Sequence, residues 1–177
     1  MAKIKGKFIT FAGGLMTLYK DAKAKAEEEL VKQTGKKFNE LEPEGWYSSK
    51  IIDRVLNLYA EASPTGLTAI VTMGRNVYPL VNRTVGIPPE KIKTPLDAIM
   101  FETENFLMDH KSDEVSQVIP RKIIEKSDRR IVIEAPAPGY NPLLYKGVYL
   151  GILNMLGIKT GKVEMIDKDK AIFEIAW

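Results

Sequence analysis

Apolar residues recur every three or four positions through the first two-thirds of the chain, then switch to tight β-rich runs. Phe8, Phe11, Leu15, Leu18 and Ala22 continue in step into Ala26 and Leu30. That spacing predicts one long amphipathic helix from about Ile9 to Gln33, with Gly35 suited to a left-handed C-cap. The Gly13-Gly14 pair inside it predicts close packing or a kink. Ser48 or Ser49 caps a second helix carrying Ile51, Ile52, Val55, Leu56 and Tyr59. A third is marked by Leu67, Ile70, Val71, Gly74, Val77, Tyr78 and Val81. Thr94-Pro95 reads as an N-cap and first helical position, opening a fourth helix that runs to about His110. A short helical turn is expected in "SDEVSQVI".

Beyond that point "RKIIEK" and "RIVIEA", joined by "SDR", read as an antiparallel hairpin. Pro142 opens a fifth helix that stops at Gly157, and "KVEMI", the turn "DKDK" and "AIFEIAW" form a second hairpin. The expected fold is α+β: a helical N-terminal two-thirds packed on a four-stranded antiparallel sheet, built from two hairpins separated by a helix. Residues 1–177 are expected to form a single domain. The apolar N-terminal face is one-sided, so it reads as amphipathic helix rather than signal peptide, and no run approaches membrane-spanning length.

Composition narrows the chemistry. With 45% hydrophobic and 28% charged residues, the chain has enough apolar material for a real core. The net charge is only +3 and the basic residues are interspersed with acids, which argues against a nucleic-acid partner. There is no cysteine, so disulfides and thiol chemistry are excluded and a cytoplasmic location is expected. His110 is the only histidine, so no Cys-His pair or multi-histidine metal site can be built within one chain. Glu102 and Glu104, like Glu27 to Glu29 and Asp167 with Asp169, read as plain acids rather than catalytic pairs. The chain is therefore expected not to be an enzyme and to hold no resident cofactor or metal.

On the fourth helix, Leu96, Ile99, Met100, Thr103, Phe106, Leu107 and His110 fall on one face at about 100° per residue. His110 then either ends the helix, its imidazolium favoured by the C-terminal dipole, or points its neutral ring into an apolar cavity as an iron ligand.

Several stretches resemble one superfamily. "PEGWYSSKIIDRVLNLYAE", "AIVTMGRNVYPLV" and "YKGVYLGILNMLG" followed by "KVEMI" and "AIFEIAW" are similar to helices and the closing hairpin of the haem-nitric-oxide/oxygen-binding (H-NOX) domains. That superfamily also includes 4-vinyl-reductase-type ligand-binding domains and core TRAPP tethering subunits. "EPEGWY" and "MGR" look closest to a bacterial, myxobacterial-type branch. The resemblance implies an apolar cavity between helices and sheet. Its haem-binding branch places a proximal histidine within the helix matching residues 95 to 110, and a Tyr-x-Ser-x-Arg motif where this chain has "IEAPAPGY". Here the proximal position falls nearer Phe106 or Leu107 than His110. The acylated cysteine of the TRAPP-like branch has no counterpart.

The expectation is thus a non-enzymatic domain in bacterial signalling or regulation that binds a hydrophobic small molecule or a partner protein, without haem. Met100, Phe106, Leu107, His110 and Tyr145 are its candidate ligand-binding residues, with Met16 and Met73 as neighbours. The alternatives are a haem-based gas sensor with His110 as proximal ligand, or an assembly module that forms a homodimer through its amphipathic helices. An enzyme would need carboxylates or Tyr140 and Tyr145 gathered in one cleft.

Overall fold

The computed structural model describes residues 1–84, 86–87, 91–112 and 118–177. The chain opens with strand β1 (Ala2–Lys5) and continues through helices α1 (Gly6–Leu15) and α2 (Lys20–Thr34). Strand β2 (Trp46–Ser48) leads into α3 (Ser49–Ala62), α4 (Thr68–Arg75), α5 (Val77–Thr84) and α6 (Pro95–Asp109). Strands β3 (His110–Ser112), β4 (Lys122–Ser127) and β5 (Arg130–Glu134) follow, then α7 (Leu143–Met155) and strands β6 (Lys162–Asp167) and β7 (Ile172–Ala176).

The α+β expectation holds, and the larger sheet is antiparallel in the order β4-β5-β7-β6. Its two hairpins meet along β5 and β7, where Ile131 pairs with Ile175 and Ile133 with Phe173. All four side chains are buried. The "DKDK" turn is held by Asp167, whose Oδ1 accepts from the amides of Asp169 and Lys170 at 3.0 Å each.

The predicted long first helix is two helices. On one helical wheel the buried stripe of α1 (Ile9, Ala12, Gly13, Met16) and that of α2 (Ala22, Ala26, Leu30) lie roughly 90° apart at 100° per residue. A single straight rod would not bury both, and the chain leaves helix at Met16 and re-enters at Lys20. Gly35 caps α2 at φ 72° as expected. Gly13 is the close-packed member of the diglycine: a Cβ there would fall 2.3 Å from the Phe38 ring, whereas one on Gly14 meets nothing.

The predicted third helix is likewise broken, at Asn76, into α4 and α5. Its crossing with α7 is made by glycines. A Cβ on Gly74 would lie 2.2 Å from the Leu144 carbonyl, and one on Gly147 2.2 Å from that of Val71. Backbone therefore packs on backbone, which fixes α7 between the helices and the sheet.

A three-stranded antiparallel sheet, β2-β1-β3, was not foreseen. Ile4 at its centre faces Tyr47 on one side and His110 on the other. These strands are three or four residues long, and "AKIK" carries a weak alternation signal. Most of "SDEVSQVI", where a helical turn is expected, lies outside the described residues.

Candidate functional site

The Thr94-Pro95 start of α6 forms as the sequence suggests. Thr94 Oγ1 accepts from the Asp97 amide at 3.2 Å while Asp97 accepts from the Thr94 amide at 2.9 Å. The face that α6 buries, however, is Pro95, Ala98, Ile99, Glu102 and Phe106. Met100 and Leu107, both candidate ligand-binding residues, point outward at 41% and 45% exposure. The helix is rotated from the expected wheel because Glu102, counted as an ordinary acid, lies inside.

Glu102 is buried because it has a partner. Its Oε1 lies 3.2 Å from Nη2 of Arg121, whose side chain is fully shielded from solvent. A buried carboxylate persists only when paired and hydrogen-bonded. Arg121 Nη1 also donates to the Pro136 carbonyl at 2.8 Å, and its Nε has no hydrogen-bond partner among the described residues. The guanidinium plane stacks 3.5 Å from the Phe106 ring centroid and 4.0 Å from that of Tyr145. Burial alone would lower the Arg121 pKa, but Glu102 together with Tyr145, Tyr149 and Tyr140 outweighs it and the group stays charged.

His110 is the C-cap of α6 and the first residue of β3, with its ring buried. Burial, reinforced by Arg121, pushes its pKa down to about 4, against the opposing pull of the Phe106 carbonyl. The ring is therefore neutral at pH 7 rather than the imidazolium that a helix-dipole role requires. One nitrogen, Nδ1, lies 2.8 Å from the Phe106 carbonyl, which can only accept, so Nδ1 carries the proton. Nε2 is then the acceptor for the Tyr140 hydroxyl at 2.9 Å. Tyr140 in turn is hydrogen-bonded to the Tyr145 hydroxyl, which must be the donor once Tyr140 has spent its own proton. Burial raises the pKa of both phenols, so both hydroxyls keep their protons.

Through Phe106, His110 and Tyr145 this network borders a cleft of about 410 Å³ between α1, α5, α6 and α7. The side of α1 that flanks its core stripe supplies Phe8, Phe11 and Leu15, and α5 supplies Val77 and Val81. Phe101 and Phe106 of α6 and Leu144 and Val148 of α7 complete the apolar wall. That size falls within the range that drug-sized ligands occupy. Of the candidate residues, the structure brings together Phe106, His110 and Tyr145 here, and Met73 joins them. Met16 is fully buried and does not border the cleft. Glu102, Arg121 and Tyr140 were missed as partners in this site. Glu102 sits three residues from Ile99 and four from both Ala98 and Phe106, and that spacing was the available signal for it.

Among the described residues, no group of three histidine, cysteine or acidic side chains could hold a metal ion, and no helix is long and apolar enough to cross a membrane.

With element order, both sheets and the cleft in place, the architecture is that of the H-NOX fold. The chain superposes with a TM-score of 0.67 on an H-NOX protein studied to probe haem distortion, at 16% identity over 98% of this chain and 95% of that one. It matches a substituted H-NOX from T. tengcongensis at 0.64 and 16% identity, covering 98% and 97% of the two chains. The Fe(II) unliganded H-NOX protein from K. algicida gives 0.64 and 10% identity, with 97% and 94% covered. At these identities the likeness is one of fold. No family model and no curated protein sequence matches the chain.

Proposed function

We propose that this chain is a non-enzymatic, cytoplasmic sensor domain of H-NOX fold whose cleft takes a hydrophobic small molecule in place of haem. The observation that carries this reading is the state of His110: one ring nitrogen donates to Phe106 and the other accepts from Tyr140, so the folded site presents no free lone pair to iron. Two further features support it. The segment Ile133–Tyr140, in the place of the family's propionate-binding motif, offers neither serine nor arginine. Lys7, the one basic side chain lining the cleft among the described residues, is already committed to Asp109 at 2.7 Å. These features weigh against haem in this cleft.

A guest would act by favouring one packing of α1, α6 and α7 over another, with its differential affinity setting the shift. The outward-facing Met100, Leu107 and Met108 of α6 offer the surface where a partner protein or second copy would sense it.

One observation favours haem ligation as a second reading. His110 borders the cleft in its neutral form, with Nδ1–H held on a carbonyl, which is how protein scaffolds orient a metal-binding imidazole. It requires Tyr140 to leave Nε2.

Native mass spectrometry of the protein as released from its expression host separates the two. The proposal expects an iron-free organic guest, lost when the cleft is filled by Val81→Trp. Protein carrying one haem per chain would overturn it.

A further inference from the structure

The charges around the cleft are placed asymmetrically. Among the described residues its wall carries three charged side chains, Lys7, Glu102 and Asp109. Lys7 Nζ lies 2.7 Å from Asp109 Oδ1, in charge contact though not aligned as a hydrogen bond, and 3.9 Å from Glu44. The cation that balances Glu102 is Arg121, which pairs with it from outside the cleft wall. An entering molecule thus meets two carboxylates, each already paired with a cation, and no cation to spare.

A carboxylate-bearing guest would leave water for an apolar cleft in which every cation is already paired, so nothing offsets the loss of its hydration. A hydroxyl faces no such cost. Glu102 Oε2 is met only by the Tyr149 hydroxyl, at the long distance of 3.5 Å among the described residues, so it retains acceptor capacity for one more donor. We propose, building on the cleft-ligand reading above, that this site selects neutral lipophiles bearing a hydrogen-bond-donating group, such as a long-chain alcohol or phenol, against the corresponding carboxylates.

The test is displacement of the neutral fluorophore N-phenyl-1-naphthylamine from the full chain at pH 8 by decan-1-ol or by decanoate. Decanol is expected to displace the probe at a concentration about tenfold or more below that of decanoate, a difference of roughly 1.4 kcal/mol. Asp109→Asn, which frees Lys7 to meet an anion, should narrow that ratio. Leu15→Trp and Val81→Trp, each on a half-buried wall position, should abolish probe uptake while circular dichroism stays unchanged. Equal or stronger displacement by decanoate would overturn the charge selectivity and leave the cleft reading standing. Probe uptake that is absent, or insensitive to both tryptophans in folded protein, would overturn the cleft reading itself.

Discussion

The Nε2 atom of His110 and the hydroxyl of Tyr140 lie 2.9 Å apart, with both side chains almost wholly withdrawn from solvent. The contact joins the end of α6 to the loop before α7 and holds His110 at the cleft wall. It also makes folding stability depend on pH. The unfolded imidazole titrates at about 6.5 and the folded one at about 4. Above pH 6.5 neither state binds the proton, and between the two values only the unfolded state does. Stability is therefore fully present above pH 6.5 and is lost as pH falls towards 4. The loss attributable to His110 should reach about 3 kcal/mol. Urea unfolding of wild type and His110→Asn at pH 7.5 and pH 4.5 checks this, the variant showing the flatter dependence.

Arg121 and Glu102 should behave as a unit. Arg121→Met leaves a buried carboxylate without its cation, and Glu102→Gln leaves a buried guanidinium. Each should cost about 3–5 kcal/mol in chemical denaturation. The double variant Glu102→Gln/Arg121→Met strands no charge, so it should cost clearly less than the sum of the two.

Two glycines in helices should respond in opposite directions to alanine. On Gly14 a methyl group meets nothing, and helix propensity should stabilise Gly14→Ala by about 0.5–1 kcal/mol. On Gly147 the same methyl would fall 2.2 Å from the Val71 carbonyl and 2.8 Å from the Gly74 Cα. Overpacking of backbone should destabilise Gly147→Ala by roughly 3 kcal/mol or more. Thermal melts of the two variants side by side read the sign directly.

The placement of α6 makes a similar contrast. Phe106, stacked against His110 at 4.2 Å and under Arg121, should cost about 3–5 kcal/mol as Phe106→Ala. Met100→Lys and Leu107→Lys, on the exposed side, should each change stability by no more than about 0.5 kcal/mol in the same assay.

What could be read along the chain was whatever local chemistry decides. The stripe of α3, the Thr94-Pro95 start of α6, the Gly35 cap and both hairpins depend on residues within a few positions of one another, and all are where expected. The rest depends on distant partners. Glu102 is charged and so counted as outside, yet it is buried by Arg121, nineteen residues later. That single pairing turns α6 and carries Met100 and Leu107 away from the cleft. The division between α1 and α2 follows from two buried stripes whose phases differ, with Phe8, Phe11 and Leu15 left to face the cleft. The β2-β1-β3 sheet exists because three short strands that are far apart in sequence meet around Ile4. Tyr140 lies in a proline-rich stretch with no periodicity at all, and only the fold brings it to His110.

The most direct test of the account is a hemin titration of the purified protein followed by visible absorption, with His110→Ala as the control. If Tyr140 holds Nε2 and the cleft is built for an apolar guest, no saturable Soret band that depends on His110 will develop. A stoichiometric band in the wild type that disappears in His110→Ala would contradict the account and make His110 an iron ligand.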